Sequence, residues 1–135
     1  MTHNKIRPLS PHWTIWRPGV WMAVSITHRI TGVGLSLVGL TLLVWWLAAI
    51  AAGPAAYAVF IDTFTGSDGG LNILGYVIFV GLTWAAFQHI GSGIRHLFQD
   101  IGAGYELRKS ARSALAVYLF SPVATALFWA YLLLR

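Results

Sequence analysis

No Asp, Glu, Lys or Arg occurs between Arg29 and Asp62, between Asp68 and Arg95, or between Arg112 and Arg135. Each run exceeds the roughly 20 apolar residues that carry a helix across a hydrocarbon core about 30 Å thick. Lipid offers the backbone no hydrogen-bond partners, so only helices or closed barrels cross it. A barrel strand would alternate apolar and polar residues over about ten positions. These runs do not alternate, and they read as helices. The expected fold is an all-α integral membrane protein forming one domain over residues 1–135. A polar segment of residues 1–19 precedes three transmembrane helices at about 20–52, 71–99 and 113–134, the first of them buried in lipid from Ile30. Gly53-Pro54 ends the first span, Ser67-Asp68-Gly69-Gly70 precedes the second, and Gly102 with Gly104 follows it, which are helix-stop and turn signals. Ala55 to Thr65 reads as a short interfacial stretch.

Charge sets the orientation. Lys5, Arg7, Arg17 and Arg29 flank the first span, and Arg95, Arg108, Lys109 and Arg112 cluster between the second and third, whereas the loop with Asp62 and Asp68 has no basic residue. By the positive-inside rule this predicts the N-terminus inside and the C-terminus outside. A net charge of +5 does not indicate nucleic-acid binding, because the basic residues flank spans instead of forming a patch on a soluble fold. Only 10% of residues are charged, against about 25% in soluble domains. Residues 1–17 lack the apolar core and cleavage site of a secretory signal, so the expected location is a bacterial inner membrane, with a processed organellar chain as the alternative. No internal repeat of the kind that builds inverted-repeat transporters is present. The chain has no cysteine, so any metal must be held by nitrogen or oxygen, which directs attention to five histidines.

Ionisable groups inside a span usually face protein, water or a ligand. One cluster is Ser25-Ile26-Thr27-His28-Arg29, where Ser25, His28 and Arg29 share a helical face. The other is His89-Ile90-Gly91-Ser92-Gly93-Ile94-Arg95-His96, followed by Asp100. His89 lies deepest, with Gly93 and His96 on its face. Glycines beside a buried imidazole open the space that a flat macrocycle needs, and imidazole is an axial ligand of haem iron. Alternatively, Gly91 and Gly93 serve close helix packing while His89 bonds a neighbouring helix. His96, one turn from Asp100, reads as a histidine oriented by a carboxylate or as a member of a proton relay. Arg29 either snorkels to the headgroups or gives its fork of donors to a propionate or a carbonyl oxygen, which the Ser25 hydroxyl would also suit. Antiparallel first and second spans bring both clusters toward the same leaflet. Trp13, Trp16 and Trp21 fit an interfacial aromatic belt or the flank of an amphipathic ligand.

Arg7-Pro8-Leu9-Ser10-Pro11-His12, Ser25-Ile26-Thr27-His28-Arg29-Ile30-Thr31-Gly32 and His89-Ile90-Gly91-Ser92-Gly93-Ile94-Arg95-His96-Leu97 with Asp100, taken in order, resemble the cytochrome b556 membrane-anchor subunits of succinate dehydrogenase, respiratory complex II. The resemblance covers nearly the whole chain. It implies that His89 is an axial ligand of haem b shared with a histidine of a second small anchor subunit, and that His28 and Arg29 lie near the propionates. It also implies that Ser25 and Arg29 sit at the ubiquinone site, with Met22 and Ile26 as apolar contacts to the quinone ring. Mitochondrial-type members carry a tryptophan at the quinone pocket where this sequence has Pro18, so Trp16 or Trp21 substitutes or the contact is absent. The implied partners are a flavoprotein subunit with FAD, which oxidises succinate, and an iron-sulfur subunit whose clusters pass electrons to quinone at the membrane. Three rivals remain: the anchor of a fumarate reductase, a proton-coupled transporter subunit using His28, Arg29, His89 and His96 as a relay, and a structural anchor without haem.

Overall fold

The computed structural model describes residues 17–135; the Arg7 to His12 motif, Trp13 and Trp16 lie outside them. Four helices follow one another: α1 at Val20–Ala52, α2 at Pro54–Phe64, α3 at Ile73–Asp100 and α4 at Leu107–Leu134. Among the described residues there is no strand, only an isolated bridge between Thr65 and Leu71. α1, α3 and α4 are long and apolar enough to cross a membrane. At a rise of 1.5 Å per residue, the 33 residues of α1 extend roughly 50 Å, so this helix outruns a hydrocarbon core.

Local chemistry sets the boundaries. Gly53 adopts φ +105°, a conformation that ends α1, and Pro54 follows at the first position of α2, where its missing N–H costs nothing. Asn72 caps α3, its side-chain oxygen accepting from the Gly75 amide at 2.8 Å while its amide donates to the Thr63 carbonyl at 2.9 Å. Gly75 is needed there because a Cβ would come within 2.4 Å of the Phe64 carbonyl oxygen. The interfacial stretch is thus the regular helix α2. α4 starts at Leu107, six residues ahead of the apolar run beginning at Ser113, because Arg108, Lys109 and Arg112 are good helix formers that need only stand clear of lipid.

Two apolar clusters hold the bundle. Val24 of α1 packs with Ala114 and Val117 of α4, flanked by Val20 and Tyr118, and the Thr27 and Tyr118 hydroxyls meet at 2.8 Å. At the other end, Ala49, Phe60 and Phe64 join α1 to α2, with Ile78 and Phe79 of α3 against them. Trp45, Phe60, Phe64 and Phe79 form edge-to-face pairs with centroids 4.9 to 5.8 Å apart. This packing brings the start of α1, the end of α3 and the start of α4 together. The described basic residues other than Arg135 therefore gather at one end. Large apolar side chains such as Ile30, Leu37, Leu119 and Leu127 are exposed, as expected of a surface solvated by lipid or by partner helices.

Candidate functional site

Where α1 crosses α3, three histidines meet. The His28 and His89 rings stack with centroids 4.0 Å apart and planes 9° from parallel, and the His96 ring lies 5.0 Å from that of His28. His89 Nδ1 is 3.1 Å from the His28 carbonyl oxygen and 3.4 Å from Thr31 Oγ1. A carbonyl only accepts, so Nδ1 carries the proton and the Nε2 lone pair is left for a ligand. This is how metal-ligating imidazoles are held, the second nitrogen fixed by a backbone acceptor. Thr31 donates to the Thr27 carbonyl at 2.9 Å and to that of His28 at 3.0 Å, which leaves its oxygen lone pairs toward His89. On the His28 ring, Nδ1 lies 2.7 Å from Ser92 Oγ. The Ser92 hydroxyl donates to the Gln88 carbonyl at 2.6 Å, so the His28 N–H donates to Ser92.

His28, Arg29, Gly32, Ser36 and His89 line a groove of about 520 Å³ on the surface of α1 and α3. Gly32 makes room for it: a Cβ there would sit 2.9 Å from His89 Cε1. Beside it, residues Leu35–Gly39 form a π-helical turn in α1, a local widening frequent at functional sites. Among the described residues no three His, Asp or Glu side chains converge on a metal ion. A bare ion takes three or four protein ligands, whereas a macrocycle brings four nitrogens and needs only axial imidazole. The donor set fits the second case. His28 cannot supply the opposite axial ligand, because its ring lies face to face with that of His89 instead of across an intervening plane.

Met22, Ile26, Arg29 and Val33 recur at helical spacing as a stripe on the outer face of α1, and all four are exposed. Ser25 is half-buried at its edge. Neither Ser25 nor Arg29 has a side-chain hydrogen-bond partner among the described residues, so their donors are free of bonds to those residues.

Compared with known proteins, residues 3–128 match the family model described as succinate dehydrogenase/fumarate reductase transmembrane subunit. The chain belongs to that family. It is 38% identical over 121 residues to the succinate dehydrogenase cytochrome b556 subunit of Paracoccus denitrificans, covering 90% of this chain and 88% of that one. The Rickettsia typhi protein of the same name is 34% identical over 132 residues, covering 94% and 93%. The mitochondrial cytochrome b560 subunit of Sus scrofa is 31% identical over 123 residues, covering 88% and 68%. The resemblance read from the motifs is therefore borne out.

Within this family member, several sequence expectations are corrected. His96 does not pair with Asp100: the carboxylate is exposed, no bond joins them, and the His96 ring turns toward His28. Of Ser25, His28 and Arg29, the last two line one groove while Ser25 does not, and His28 also stacks on His89 of α3. Gly91 packs against Phe120 and Val117 of α4, and Gly93 makes only an ordinary contact with His28, so the space beside His89 comes from Gly32. Gly32, Thr31 and Ser92 were all within the quoted motifs; the threonine and glycine at i+3 and i+4 from His28 were the available signal. Trp21 is exposed with its ring folded over Gly19, where a Cβ would lie 2.4 Å away, and it makes no contact with the groove.

Proposed function

We propose that this chain is the haem b-binding anchor of a succinate:quinone oxidoreductase, docking the iron-sulfur and flavin subunits and forming one wall of the ubiquinone site. The observation that carries the reading is the His89 ring, which lines the groove and is fixed through Nδ1 by the His28 carbonyl, so that its Nε2 lone pair is left for a ligand. His89 would be one axial ligand, and a histidine of a second anchor subunit the other. His28 and Arg29 would face the propionates. When bound, the haem supplies a one-electron redox centre within the bundle. The relatives' cytochrome names support the same group.

The quinone wall is the stripe of Met22, Ile26 and Arg29 with Ser25. Two methyl-bearing apolar side chains would pack against the ring. The Arg29 guanidinium and the Ser25 hydroxyl would donate to a carbonyl oxygen, stabilising the negative charge that develops there as the quinone takes two electrons and two protons. With the basic end of the bundle inside, by the positive-inside rule, that wall lies at the inner surface of a bacterial inner membrane, close to an iron-sulfur partner and to protons from water. The open stripe is half a pocket, and partner subunits close it. A proton-relay role is not favoured, because the His28 and His89 rings meet by their faces and no ring nitrogen bonds another among the described residues.

The test is a dithionite-reduced minus oxidised spectrum of the complex purified in mild detergent. A b-type α band in the fraction that holds flavin and iron-sulfur partners is expected. A colourless anchor with those partners present would overturn the haem assignment.

A further inference from the structure

A second built feature lies on the other side of α3. Arg95 is 7% exposed. Its Nε donates to Ser113 Oγ at 3.0 Å, one terminal nitrogen to Gln99 Oε1 at 3.1 Å and the other to Ser110 Oγ at 2.8 Å. All three acceptors are neutral. Among the described residues no carboxylate pairs with this guanidinium, since Glu106 is bonded to Lys109 at 3.0 Å and Asp100 is exposed. A guanidinium has five N–H donors, so two donors and an unneutralised charge remain. A buried cation is costly unless an anion meets it.

Arg95, Gln99, Lys109 and Ser113 border a cavity of about 370 Å³ whose remaining wall is apolar, with Ile94, Phe98 and Val117. It continues toward the bundle centre as a hollow of about 230 Å³ floored by Gly91 and flanked by Ala116 and Phe120. The space is charged at the basic end of a membrane-spanning helix pair and apolar along the helices. We propose that it binds one anionic glycerophospholipid, the phosphate against Arg95 and an acyl chain along Gly91, Ala116 and Phe120. Basic pockets between transmembrane helices recognise anionic headgroups by such means. A free phosphate would use the charged end but gain nothing from the apolar groove. The proposal rests on the membrane-anchor assignment and not on haem.

The assembled complex is purified as wild type and with Arg95→Gln or Ala116→Trp, and retained phospholipid is measured by mass spectrometry. Delipidated complex is then titrated with phosphatidylglycerol or phosphatidylcholine in nanodiscs, with inorganic phosphate as competitor. Wild type is expected to retain one anionic lipid per anchor and to prefer phosphatidylglycerol, and Arg95→Gln to weaken this about tenfold through loss of charge-assisted bonds. Ala116→Trp fills the groove, leaves the Arg95 bonds in place and should weaken retention as well. Equal retention of both lipids by wild type, no retained lipid, displacement by phosphate alone, or unchanged retention in Ala116→Trp would each overturn the proposal.

Discussion

Replacing Gly32 by alanine tests the histidine geometry with a single methyl group. That methyl would lie 2.9 Å from His89 Cε1 and 3.4 Å from Nδ1, where carbon atoms pack at about 3.5–4.0 Å. The His89 ring must move by roughly 0.6 Å or more to restore contact distance. It is held by contacts of 3.1 Å to the His28 carbonyl and 3.4 Å to Thr31 Oγ1 and by stacking on the His28 ring, and a displacement of that size away from α1 carries both contacts beyond hydrogen-bonding range. Losing the partner that orients a metal-ligating imidazole lowers affinity about 10- to 100-fold. The assay is haem per polypeptide in the purified complex, with thermal unfolding alongside. Gly34→Ala is the control, since nothing lies within 4 Å of a Cβ there and alanine favours the helix by about 1 kcal/mol. Full haem content with an unaltered spectrum in Gly32→Ala would refute the claim that Gly32 positions His89.

Arg29→Ala should lower quinone reduction about 10-fold or more, as expected for a charge-assisted donor, while electron transfer from succinate to an artificial soluble acceptor persists; parallel loss of both activities would contradict the quinone assignment. Asn72→Ala removes the cap of α3 and should destabilise the isolated anchor by about 1 kcal/mol, read as a lower denaturation midpoint with haem content retained. Ser121→Ala removes the hydroxyl that donates to the buried Gln88 side-chain oxygen, in an amide whose nitrogen has no partner among the described residues, and should cost about 1–3 kcal/mol; an unchanged midpoint would show that the oxygen finds another donor.

The spans were legible because charge is expelled from lipid, and a gap in charged residues is visible without knowing any contact. Helix starts were less so: Leu107 precedes the apolar run since basic residues outside lipid are free to stay helical. Which residues of a span face one another was largely hidden. In water an apolar stripe marks the buried face, but here every face is apolar and contacts are set by small residues, so Gly32, Gly91 and Gly93 looked alike although only Gly32 touches His89. The π-helical turn at Leu35–Gly39 leaves no sequence signature beyond the glycines around it. Spacing paired His96 with Asp100, but the packing of α1 against α3 draws His96 toward His28 and leaves the carboxylate exposed. Arg95 stood in a quoted motif, yet its three neutral partners come mostly from α4 and no local pattern reveals them.

The central claim is that His89 Nε2 is an axial ligand of a haem shared with a second anchor subunit. It is tested most directly by low-temperature electron paramagnetic resonance of the oxidised complex, wild type against His89→Ala. The wild type should give a low-spin bis-histidine signal, and the variant should lose it while the flavin and iron-sulfur partners still copurify. An unaltered low-spin bis-histidine signal in His89→Ala would contradict the claim.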